Sequence, residues 1–95
     1  MFAVAGTWTM NADMRERQAE SLPGLVAGVR QNEGFVRGFW TEDVDDPGVS
    51  VTFIVFETLE QARNFREAVL ANAPGQANAG VDRAGLRVVK VTAEA

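Results

Sequence analysis

The side chains able to do chemistry in this 95-residue chain are few, and the absent types narrow the choice first. There is no His, no Cys and no Tyr, which removes the commonest general base, the commonest thiol nucleophile and the phenolic acid together. Soft-metal ligation goes with them: zinc, haem iron and copper lack their usual donors, and neither a metal nor a cofactor is expected. What remains is bulk and charge. Trp40 stands beside Phe39 and close to Phe35; its indole either packs as core or interface mass or stacks a flat aromatic ligand in a cleft between helix and sheet. Trp8 has the same two readings. Arg37 lies among apolar residues, where a guanidinium runs to the rim or pairs with a carboxylate such as Glu42 or Glu57. Arg63 and Arg66 have Glu60 and Glu67 at helix-pair spacing, and Asn64 falls off the apolar stripe of its helix. Asp43, Asp45 and Asp46 could hold a hard cation, but the spacing lacks the glycine and distal Glu of a calcium loop, and turn-closing Asx chemistry accounts for them.

The elements that must position these residues follow from periodicity. Phe2 to Met10 alternates, with Phe2, Val4, Trp8 and Met10 on one face and Ala3, Ala5, Thr7 and Thr9 on the other, which predicts a first strand. Asn11 or Asp13 can cap a helix whose apolar residues are Met14, Leu22, Leu25, Val26 and Val29. Pro23 is expected to break or kink that helix, because it removes a donor and clashes with the preceding turn. A short second piece should run to Gln31 and stop at Gly34, suited to the left-handed conformation. Phe35 to Thr41 is the second strand, the Asp-rich stretch Glu42 to Gly48 its turn, and Val49 to Phe56 the third strand, apolar on both faces. Thr58 and Gln61 have the capping-box form, and Leu59, Ala62, Phe65, Val69 and Ala73 mark a helix stripe ended by Pro74-Gly75. Gln76 to Gly85 reads as a loop or flap, and Leu86 to Thr92 as the last strand.

This is a β-α-β-β-α-β order over one domain, residues 1–95: an α+β ferredoxin-like arrangement with both helices on one face of a four-stranded antiparallel sheet. Two helices cannot cover a sheet that is apolar on both sides, and a contiguous apolar patch on a monomer rarely exceeds roughly 300 to 600 Å². A second copy of the same sheet is the simplest cover, so a homodimer through the sheet face is expected. Nine Lys and Arg against thirteen Asp and Glu give a net charge of −4, which repels a phosphate backbone. An RNA-recognition domain shares this element order, but Val49, Ser50 and Val51 stand where its third strand needs a basic residue, a glycine and the first aromatic. Nucleic acid is not an expected partner. No apolar run approaches the roughly 20 residues a bilayer requires, and Met1 leads straight into strand without a signal-like segment, so no membrane association and a cytoplasmic location are expected.

Asn32-Glu33-Gly34-Phe35-Val36 leading into Gly38-Phe39-Trp40, followed by Val55-Phe56-Glu57 opening the second helix, resembles the antibiotic-biosynthesis-monooxygenase-like family over nearly the whole chain. The resemblance implies a small dimeric α+β barrel; some members oxygenate polycyclic aromatics without metal or flavin and others degrade haem. The haem-degrading members pair an Asn on the first strand with a Trp and a His at the second helix. Here Asn11 ends the first strand, Phe65 takes the aromatic position and no His exists, so haem degradation is set aside. Among the cofactor-free oxygenases, Trp40 and Asn64 are partial matches, with Arg66 and Arg37 able to hold a phenolate or enolate; the Tyr of that pattern is missing.

Two functional classes follow. One is a cofactor-independent monooxygenase or related isomerase acting on a small planar aromatic, with Trp40, Arg37, Trp8, Asn64 and Arg66 as candidate cleft residues and the substrate's own acidity replacing a base. The other is a non-catalytic module that binds a small apolar or aromatic ligand in the same cleft, or serves only as a structural dimer.

Overall fold

A computed structural model describes residues 1–95. Strand β1 (Phe2–Met10) leads through a 3-10 turn (Ala12–Met14) into helix α1 (Arg15–Arg30); β2 (Phe35–Trp40) and β3 (Val49–Phe56) follow, then α2 (Leu59–Ala71), the short α3 (Ala73–Asn78) and β4 (Val81–Lys90). The four strands form one antiparallel sheet in the order β2-β3-β1-β4. The fold is therefore α+β and ferredoxin-like, with the first and third strands at the centre of the sheet.

Alternation sorts the sheet into two faces. Val4 is opposite Ile54, and Phe2 opposite Phe56; these four meet the helices. Val4, Val29, Ile54, Phe56 and Ala62 make the buried core, with Phe2, Phe35, Trp40, Phe65, Leu86 and Val88 packed around it. Phe56 is fully buried, edge-on to Phe35 at 6.4 Å and tilted against Phe65 at 5.1 Å, spacings at which aromatic rings attract beyond their buried area.

Helix α2 sits on this core because its ends and stripe agree. Thr58 accepts from the Gln61 N–H while the Gln61 side chain accepts from the Thr58 N–H, the predicted capping box, and Ala62 is small enough to bring the helix onto the sheet. Helix α1 is attached differently. Only Val29, in its last turn, is buried, and Leu22 and Leu25 are 40% and 53% exposed. Its other fastening is the Gln18 amide, which donates to the carbonyls of Ala79 at 3.0 Å and Gly80 at 3.3 Å. Gly34, after the helix, has φ +80°, a conformation only glycine adopts freely.

Three expectations are corrected. Pro23 neither breaks nor ends α1, which runs unbroken through it; Pro23 is exposed, so water can satisfy the carbonyl its missing N–H leaves free. Pro74 does not simply end a helix but occupies the first turn of α3, where the absent donor has no partner to lose. The expected loop Gln76 to Gly85 is instead the rest of α3 and the first half of β4: Val81, Asp82 and Arg83 pair with Met10, Thr9 and Trp8, and a bulge brings Gly85 opposite Thr7. No helix is long and apolar enough to cross a membrane.

Candidate functional site

On the helix-facing side, one rung crosses all four strands. Trp40 of β2 is opposite Thr52 of β3, Thr52 opposite Gly6 of β1, and Gly6 opposite Leu86 of β4. With strands about 4.8 Å apart, the rung spans about 14 Å. Both indoles lie down over glycines: a Cβ on Gly6 would come within 2.7 Å of Trp8 Nε1 and 2.9 Å of Thr52 Oγ1, and one on Gly38 within 3.0 Å of Trp40 Cζ3. Trp8 is held there because its Nε1–H donates to Thr52 Oγ1 at 2.9 Å. Trp8 is buried while Trp40 and Thr52 stay half-exposed, consistent with an α1 that meets the sheet mainly through Val29.

The far end of the rung is basic. Arg66 reaches down from α2, and its Nε–H donates to the Leu86 carbonyl at 3.3 Å. Beside it an open depression of about 510 Å³ runs between α2 and β4, lined by Arg63, Arg66, Glu67, Leu86, Arg87 and Val88. Three guanidinium groups thus face one carboxylate in a chain whose net charge is −4. The single ion pair is Arg66 with Glu67, at 3.8 Å and largely solvated, so it holds Arg66 weakly.

Of the residues singled out in the sequence, Trp8, Trp40 and Arg66 come to this side of the sheet. Arg37 does not. It is opposite Val55, one position from Ile54, which puts it on the open face with Phe39, and the sheet separates it from Trp40. Asn64 is exposed on α2, with no side-chain hydrogen bond. Asp43 accepts from the N–H groups of Asp45 and Asp46, and Asp46 from that of Gly48: these carboxylates close the β2–β3 turn. Arg37 makes no ion pair with Glu42 or Glu57. Thr52, Arg63 and Arg87 were missed as site residues. Thr52 had a signal, since of the two hydroxyls on the strand face of Ile54 and Phe56, Ser50 and Thr52, it is the nearer to that core; the arginines had none, because only the approach of α2 to β4 joins them.

No family model matches the sequence, and no curated protein matches it. Solved structures do. A candidate antibiotic biosynthesis monooxygenase from Deinococcus radiodurans superposes with a TM-score of 0.75 at 18% identity, over 100% of this chain and 95% of that one. SnoaB, a cofactor-independent oxygenase from Streptomyces nogalater, gives 0.74 at 16% identity over 98% and 94%. MhuD, solved as a variant with two manganese protoporphyrin IX bound per active site, gives 0.76 at 15% identity over 100% and 98%. At these identities the likeness is one of fold, and the chain has the fold of the antibiotic biosynthesis monooxygenase-like domain.

Proposed function

We propose that this chain is a cofactor-independent monooxygenase of small planar aromatics, working as a homodimer. The carrying observation is the rung itself: two indoles laid flat over glycines, ending at a half-buried arginine, in a chain without His, Cys or Tyr. A flat ring stacks on Trp40, and its anion is favoured by the guanidinium charge at the Arg66 end. Arg66 serves this role in preference to Arg37, which lies across the sheet. With no strong base at hand, the substrate must be acidic enough to ionise with little help, and its carbanion or enolate supplies electrons to dioxygen. In balance, a benzylic methylene loses two hydrogens and gains one oxygen, and the second oxygen leaves as water. A haem reading fits poorly, because the usual His, Cys or Tyr axial ligand is missing.

The open face supports the dimer. The chain exposes 6359 Å², whereas about 5,400 Å² is usual for a monomer of 10.3 kDa. The excess of roughly 1,000 Å² is comparable to the roughly 800 Å² per partner of a stable interface. Phe39, Val51 and Phe53, at 54%, 44% and 37% exposure, lie on this face. The direct test is oxygen uptake by the purified protein with a panel of anthrones and quinols. Uptake above the spontaneous rate, with one oxygen atom entering the product and weakened by Trp40→Leu, is expected; a folded protein that accelerates none of them overturns the enzymatic assignment. Ligand-induced thermal stabilisation without product would then favour the binding module.

A further inference from the structure

We infer that the Thr52 hydroxyl is the hydrogen-bond donor that orients the ligand's oxygen on the rung, polarised for that task by Trp8. This deepens the cleft assignment made above and rests on it.

A threonine hydroxyl has one hydrogen to give and two lone pairs to receive with. At Thr52 the receiving side is used, by Trp8 Nε1–H at 2.9 Å, and the hydrogen has no protein acceptor. The neighbouring hydroxyls differ. Ser50 Oγ, one rung along the same face, donates to the Thr41 carbonyl at 2.6 Å, and Thr41 Oγ1 donates to that of Val51. Thr52 is thus the half-buried sheet hydroxyl whose proton is uncommitted, and it stands between the indole over Gly6 and the indole of its cross-strand partner Trp40.

Accepting a hydrogen bond makes a hydroxyl a better donor, because each bond in a chain polarises the next. Trp8 therefore does two things: it fixes the Thr52 rotamer and strengthens the proton that Thr52 presents. An apolar ring stacked on Trp40 gains nothing from this. A phenol or enol does, and its anion gains most, since a donor aimed at developing negative charge in a site partly screened from water favours the ionised form. A chain short of bases thereby acquires a way to acidify its ligand. The ligand class is a flat aromatic with a hydroxyl or enolic oxygen.

The test compares 2-naphthol with naphthalene, binding followed by tryptophan fluorescence and naphtholate formation by absorbance. Wild-type protein should bind both, 2-naphthol more tightly, and should shift the ionisation of bound naphthol to lower pH. Thr52→Val should weaken 2-naphthol by about tenfold, leave naphthalene within about twofold, and abolish the ionisation shift; Thr52→Ser should restore the preference and the shift. If Thr52→Val leaves naphthol affinity and ionisation unchanged, the donor role falls while the cleft stands. Equal weakening of both probes would assign Thr52 to the seating of Trp8 alone and likewise overturn it. A folded wild-type protein that binds neither probe overturns the cleft assignment and the donor role with it.

Discussion

Gly6 matters because of what lies over it. Trp8 reaches its position only if nothing projects from the strand beneath, and its indole N–H, once buried, needs Thr52 as partner. Gly6→Ala should push the indole off that partner and lower stability by about 2 kcal/mol, the usual cost of stranding a buried donor; urea unfolding checks the number, and a red shift in tryptophan emission checks the cause. Alternation along β1 was enough to place Trp8 on the core face, but not to show that it bends back over a glycine two residues earlier, since that depends on a hydroxyl 44 positions away. For Arg37 the sequence already held the answer: three residues from Trp40 along a strand is an odd spacing, and odd spacings face apart. Phe35 is the exception that needed the structure, because a bulge before Arg37 lets Phe35 meet the core although it lies five positions from Trp40, an odd spacing.

Helix α1 shows how context overrides a local rule. Proline in a helix interior costs about 3 kcal/mol, yet Pro23 is accommodated on an exposed stretch that scarcely touches the sheet. Pro23→Ala should therefore stabilise the protein, by about 1–2 kcal/mol once the greater freedom of the unfolded chain is subtracted. Thermal unfolding followed by circular dichroism measures this, and a loss of stability would mean that Pro23 makes contacts the fold does not reveal. Helix α2 was legible almost to the residue, since its capping box and stripe are local signals. The start of β4 was not. Val81 to Gly85 is poor in apolar residues, and it becomes strand because the far end of β1 has backbone groups that a partner must satisfy; Asn11 N–H donating to the Gly80 carbonyl at 2.7 Å begins that pairing.

At the scale of the whole molecule, one apolar face and the excess of exposed surface belong together. Phe53 is partly exposed at the centre of that face, opposite Ala5 and Phe39, so Phe53→Asp should leave the monomer folded and place a charge where two sheets would meet. Light scattering is expected to give twice 10.3 kDa for the wild type and the single mass for the variant; a monomeric wild type at micromolar concentration sinks the dimer. The main element order, the alternation along β1, the α2 cap and the surplus of apolar strand were determined by the sequence alone, because each rests on spacing between near neighbours. The rung was decided by tertiary structure: Trp40, Thr52, Gly6 and Leu86 become adjacent through strand register, and Arg66 joins them by laying its Nε–H on a distant backbone carbonyl. Register and helix docking are set by how the entire core closes, so no local pattern carries them.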